Sequence, residues 1–225
     1  CVYSNYKMMK LFKNWLFDTT IVNEQTPNND INVVWIHGAN QTSLSFQYLR
    51  TLTQFKKEML VNYTSMNKFY NNLEVLADTI NQNPGPHFVI GHSMGGLYAL
   101  HLTKYINCVG VVSISTPFAG SWTADWAKYV VPSFPLFKDI GRRSDPVKVG
   151  KNIEINIPWT QIVSMSGSVP YHGGPNDGVV TIESMKSRDD MQIIEVQHGH
   201  YETMCSENVA KILSSCYSRV LAKGY

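Results

Sequence analysis

Ser93 lies in Gly91-His92-Ser93-Met94-Gly95, a G-x-S-x-G pattern preceded by the apolar run His87–Ile90 and followed by the helix-friendly Leu97-Tyr98-Ala99-Leu100. That order of strand, tight turn and helix is the context of a nucleophile elbow. The glycines have a steric reason: the turn is so sharp that side chains at 91 and 95 would meet neighbouring backbone. The turn would lift Ser93 Oγ above the sheet edge and aim the helix N–H groups at it. A serine hydroxyl is a poor nucleophile at neutral pH, so this chemistry needs a base and an oxyanion stabiliser elsewhere in the chain. G-x-S-x-G also arises by chance in loops, so the partners decide how it is read.

The elements that would position such partners are legible from apolar patterning. Residues 31–36 (INVVWI) are β-branched and nearly continuously apolar, as a buried strand should be. The segment from Ser43 to about Lys56 reads as helical, and Met59–Tyr63 as a strand. Apolar residues at 69, 73, 76 and 80 mark a helix, which Asn83-Pro84-Gly85-Pro86 ends. Further strands are expected at Cys108–Ser115, Pro158–Ser166 and Met191–Gln197. A closing helix carries Val209, Ile212, Leu213, Cys216 and Val220 on one face. Alternating strands and helices, with strands apolar on both faces, predict an α/β class chain: a three-layer α/β/α sandwich around a mostly parallel sheet. Internal repeats and low-complexity segments are absent, and residues 1–30 give no clear pattern.

In such a sheet, functional groups sit on loops at the carboxyl ends of strands. After the strand near 158–166 comes Pro175-Asn176-Asp177-Gly178-Val179-Val180. Asp177 there is the expected acid, accepting the imidazole Nδ1–H; the alternative is an ordinary Asp-Gly turn. Asp125, Asp139 and Asp145 precede that strand and read as surface charges. After the last strand comes Gln197-His198-Gly199-His200-Tyr201, with two candidate bases. His200, behind the small Gly199 and heading into the closing helix, is favoured over His198, which would then be a supporting or substrate-side group. The oxyanion donors expected are Met94 N–H, directly after the nucleophile, and Ala39 N–H in His37-Gly38-Ala39-Asn40, where Gly38 permits close approach.

Composition bounds the rest. A chain of 225 residues with 44% hydrophobic and 16% charged residues is globular and long enough for one sizeable core, here a single domain over residues 1–225. A net charge of +2, with Arg142-Arg143 the only basic cluster, gives no footing for nucleic acid. No apolar run spans a bilayer, and Lys13 and Asn14 interrupt the best signal-peptide-like stretch. Cys1, Cys108, Cys205 and Cys216 have no metal spacing. Cys108 reads as a small buried hydrophobe, and Cys205 and Cys216 as residues of one helix. Eleven helical residues rise about 16 Å, too far for a disulfide, which favours a reducing, cytoplasmic compartment. The first residue, Cys1, fits a processed or trimmed chain.

Together HGAN at 37–40, GHSMGG at 91–96, NDGVV at 176–180 and GHYETM at 199–204 resemble the α/β-hydrolase superfamily, in its small bacterial-type lipase and esterase branch. The resemblance runs over about residues 31–222. A serine at 93 sets the chain apart from relatives that use an aspartate nucleophile. The resemblance implies that Ser93 attacks a lipid or small acyl ester while His200 takes its proton. Ala39 and Met94 N–H would hold the oxyanion, and no cofactor or metal would take part. Thioesterases, amidases and acyltransferases use the same acyl-enzyme, and a non-catalytic binding module on this fold is a further alternative. The stretch from about 118 to 157 carries Trp122, Trp126, Tyr129 and Val130 at helical spacing. It reads equally as a lid over an acyl pocket or as a crossover helix packed on the sheet.

Overall fold

The computed structural model describes residues 31–121, 138–167 and 174–224, together with the backbone of 22–24. The strands are β1 (Val22–Glu24), β2 (Asn32–Ile36), β3 (Glu58–Val61), β4 (His87–His92), β5 (Cys108–Ile114), β6 (Trp159–Ser164) and β7 (Gln192–Val196). The helices are α1 (Gln47–Thr53), α2 (Phe69–Asn81), α3 (Met94–Leu102), α4 (Asp145–Lys151), α5 (Ile182–Met185) and α6 (Glu207–Leu221). Short 3-10 turns at Ser43–Phe46 and Glu202–Cys205 precede α1 and α6.

One seven-stranded sheet has the order β1-β3-β2-β4-β5-β6-β7. Only β1, at the edge, runs antiparallel to its neighbour. The chain leaves β2 toward β3 on one side, then returns past β2 to β4 and continues the other way. The two loops that depart in opposite directions open a crevice at the carboxyl ends of β2 and β4, the usual ligand site of such a sheet. Those loops are His37–Asn40 and the turn at Ser93.

Strand alternation divides the core into two layers. Val34, Ile36, Val89 and Val111 face Leu73, Leu76 and Ile80 of α2, Leu97 and Leu100 of α3, and Val147 of α4. Val33, Trp35, Phe88, Ile90 and Val112 face Leu49 of α1 and Val209, Leu213 and Val220 of α6. Helices therefore cover both faces, giving the expected three-layer α/β/α sandwich. Every residue of α3 is buried, as befits a helix without a polar face. It runs directly behind the elbow and anchors it. Among the described residues, no helix is long and apolar enough to cross a membrane.

Two local expectations are corrected. Cys205 ends the 3-10 turn and does not share a helix with Cys216, because Ser206 caps α6 by accepting from Val209 N–H at 3.3 Å. Asp139 is not a surface charge: it is half-buried and accepts from Phe69 N–H at 2.8 Å, satisfying an orphan donor of the first turn of α2. Cys108, read as a small buried hydrophobe, packs partly buried against the core with its thiol directed at Gly110 O. Asp125, Trp122, Trp126, Tyr129 and Val130 lie outside the described residues. At the far edge, β7 is largely accessible, and Lys186 pairs with Glu195 on it.

Candidate active site

At the end of β4 the backbone turns through Ser93 with φ 52° and ψ −119°, a left-handed conformation that a side-chain-bearing residue rarely adopts. Ser93 N–H donates to Ile114 O at 2.7 Å, which ties the turn to β5. The flanking glycines are required by contact distance. A Cβ on Gly91 would lie 2.6 Å from the Gly95 carbonyl, and one on Gly95 would lie 2.0 Å from Ile36 O. His92 and Met94 are buried, whereas Ser93 is partly accessible, so the turn presents this one side chain to the crevice.

Met94 N–H is the first donor of α3, where helical geometry supplies no acceptor. The Ala39 peptide is set by its neighbour. Tyr63 N–H donates to His37 Nε2 at 3.2 Å, so the His37 proton resides on Nδ1 and is donated to Gly38 O at 2.7 Å. Stacking on Tyr63 at 4.3 Å fixes the ring. In a trans peptide the C=O and N–H point in opposite directions. The Gly38 carbonyl faces the ring, so Ala39 N–H faces away from it.

Asp177 and His200 meet from two different loops. Asn176 Oδ1 accepts from Gly178 N–H at 2.9 Å, forming an Asx turn. The turn folds Asp177 so that its Oδ1 receives Val179 and Val180 N–H at 3.0 and 2.7 Å. Asp177 Oδ2 accepts from His200 Nδ1 at 2.7 Å and from Ser164 Oγ. Burial alone would raise this carboxyl, but the hydrogen bond and charge interaction with His200, then Ser164 and the Val180 N–H, outweigh it and hold Asp177 below the ordinary range. A carboxylate only accepts, so His200 carries a proton on Nδ1, and in the neutral ring Nε2 then holds the lone pair. Among the described residues no hydrogen bond joins Ser93 Oγ to His200. Such contacts commonly tighten only when substrate is bound. His198 is engaged elsewhere: its Nε2 lies 2.8 Å from the Oγ of Ser206, the cap of α6.

The sequence did not single out Ser164, which ends β6 and is itself bonded to Ser115 Oγ at 2.8 Å. A serine closing a fully buried strand was the available signal. Nor did it anticipate the part His37 plays in aiming Ala39. Among the described residues, no cluster of histidine, cysteine or acidic groups could hold a metal ion.

Several histidines are buried neutral. Desolvation pushes His37 and His87 down to about 4 and His92 to about 3. Among the described residues His87 Nδ1 has no hydrogen-bond partner that would favour a proton. In the unfolded chain these groups protonate near pH 6.5. Their folded values are depressed, so the unfolded state binds more protons between about pH 6.5 and 4, and down to about 3 for His92. Stability is complete above that window and falls as pH drops through it, by up to about 1.4 kcal/mol per pH unit per histidine. The urea midpoint should therefore decrease clearly from pH 7.5 to pH 5, and an unchanged midpoint would contradict burial of these rings.

Residues 33–176 match the alpha/beta hydrolase family. The chain belongs to that family. Among solved structures it is similar to a lipase-esterase related protein from Clostridium acetobutylicum (16% identity, TM-score 0.65, covering 88% of this chain and 98% of that one). It is likewise similar to a monoacylglycerol lipase from Paleococcus ferrophilus (15% identity, TM-score 0.65, covering 92% and 99%). A mature lipase from Bacillus licheniformis aligns at 14% identity and TM-score 0.65, over 84% and 92%. At these identities the likeness shows the fold alone. No curated protein sequence matches the chain.

Proposed function

We propose that this hydrolase cleaves carboxylic esters of lipid or small acyl type through an acyl-enzyme on Ser93. The observation that carries the reading is the 2.7 Å His200–Asp177 pair, oriented to leave Nε2 free, in a fold that raises Ser93 on a strained turn. In the proposed reaction Ser93 Oγ attacks the ester carbonyl and its proton passes to His200 Nε2. Ala39 and Met94 N–H stabilise the tetrahedral oxyanion. His200 returns the proton to the departing alcohol, then activates water to release the acid. Asp177 holds the tautomer and stabilises the imidazolium. The lipase names carried by the structural neighbours favour acyl esters as the substrate class.

The test is hydrolysis of p-nitrophenyl esters from acetyl to palmitoyl, combined with mass spectrometry after treatment with a fluorophosphonate. One phosphonyl adduct on Ser93 and turnover with a chain-length optimum are expected. A labelled Ser93 without ester turnover would instead direct the site to thioesters, amides or acyl transfer. No label and no turnover would refute acyl-enzyme chemistry.

The two histidines separate cleanly under substitution. His200→Ala should lower kcat by about 10⁴-fold or more. His198→Ala should leave kcat within a few-fold and reduce stability by about 1 kcal/mol through the weakened α6 cap. The reverse ranking in steady-state assays would move the base to His198.

A further inference from the structure

Two side chains beside the site, His92 and Gln41, have no part in the acyl-transfer steps above. Gln41 Oε1 accepts from Gly38 N–H at 3.0 Å. A backbone N–H only donates, so the Gln41 atom at that position is the oxygen. The same oxygen lies 3.0 Å from His92 Nδ1. An amide oxygen only accepts, so this contact requires a proton on Nδ1. On the other side of the ring, Nε2 lies 3.1 Å from His200 O, which is also only an acceptor. Satisfying both contacts requires two ring protons. Yet the ring is fully buried, and desolvation pushes His92 down to about 3. The neutral ring has one proton for two acceptors.

The acceptors belong to two separate parts of the site. Gln41 grips Gly38 N–H while His37 grips Gly38 O, so this one glycine is held at both ends. A Cβ there would lie 2.7 Å from Gln41 Oε1, 2.9 Å from His92 Nδ1 and 3.2 Å from Ser93 Cβ, so both side chains would have to shift. His200 O also accepts from Thr203 Oγ1 at 2.8 Å, but that bond stays within the base loop. The His92 contact crosses from the elbow to the base.

We infer that His92, together with Gln41, is a positioning residue that ties the oxyanion loop and the His200 loop to the nucleophile elbow through one shared ring proton. This inference rests on the serine-hydrolase reading for its kinetic consequences but not for its structural ones. When the proton is on Nδ1, the Gly38–Ala39 loop is held; when it is on Nε2, the His200 backbone is held.

Three substitutions at His92 and one at Gln41 separate these ties. His92→Leu removes both ring nitrogens and with them the shared proton. His92→Gln places an amide N–H₂ near the Nε2 position, and His92→Asn places one near Nδ1. The readouts are kcat and KM on p-nitrophenyl butyrate, and the downfield ¹H resonance of His200 Nδ1–H recorded without substrate. His92→Leu should lower kcat by about 10- to 100-fold with KM within about twofold, and should broaden the downfield resonance. His92→Gln should restore the resonance and part of kcat. His92→Asn should restore part of kcat without the resonance. Gln41→Met, at a half-buried position more tolerant of change, should lower kcat about tenfold with the resonance intact. The inference is overturned if His92→Leu leaves kcat and resonance unchanged, if all three His92 variants fall alike, or if Gln41→Met matches wild type. Should wild type show no Ser93-dependent turnover, the proposed function fails, and the resonance pattern alone decides the tie: loss in Leu with recovery in Gln supports it, and any other pattern overturns it.

Discussion

Ser93→Ala is expected to lower kcat for ester hydrolysis by about five to six orders of magnitude while the protein stays folded. The hydroxyl is the only group in the proposed mechanism that forms a covalent bond, so no neighbour can take over its part. The same position makes an unusual stability prediction. On an ordinary backbone glycine is less stable than alanine by about 0.5–1 kcal/mol. At φ 52° and ψ −119° the order should invert, because alanine retains the Cβ that strains the turn and glycine does not. Ser93→Gly should therefore unfold at higher urea than Ser93→Ala, by about 1 kcal/mol, with both inactive. If alanine proves the more stable, the turn holds no strain. Residual activity above about one thousandth of wild type in either variant would remove Ser93 from the chemistry.

Asp177→Asn should reduce kcat by about 10⁴-fold with little change in KM. Four donors converge on this carboxylate: two backbone N–H groups on Oδ1, and Ser164 Oγ and His200 Nδ1 on Oδ2. An asparagine keeps one oxygen. With that oxygen on the valine amides, its N–H₂ faces the other two donors. His200 then adopts the opposite tautomer, with Nδ1 accepting and Nε2 protonated, and has no lone pair for Ser93 Oγ. Circular dichroism and the unfolding midpoint distinguish this from general damage. An Asp177→Asn enzyme within tenfold of wild type would falsify the role given to the acid.

The parts of this protein legible in its sequence are those set by short-range physics. Continuous apolar runs marked β2, β4 and β5, because a strand covered on both faces has no polar period. The glycine spacing around Ser93 marked the elbow, because contact distances of 2.0–2.6 Å leave no room for other residues. What stayed hidden depended on partners distant in the chain. Asp139 meets Phe69 N–H across 70 residues, and nothing local distinguishes such a carboxylate from a surface one. The contact of His200 with Asp177 joins two loops across 23 residues, whereas Ser206, which meets His198 and caps α6 after Cys205, lies close by in the chain. That serine, followed by Glu207, was a readable helix start. The edge strand β1 is three residues long in a polar stretch, too short for any period to show.

The sheet ends differently on its two sides, and that bears on how copies of the protein meet one another. A parallel sheet with an accessible outer strand offers unpaired N–H and C=O groups to any second chain. Here β7 carries Glu195, paired with Lys186, and Gln192, bonded to Arg219. A second copy laying a strand along β7 would have to strip water from these charged groups. The opposite side is closed by a short antiparallel segment that leaves little length to template on. Among the described residues, charge at one margin and a three-residue strand at the other both work against edge-to-edge pairing of this sheet.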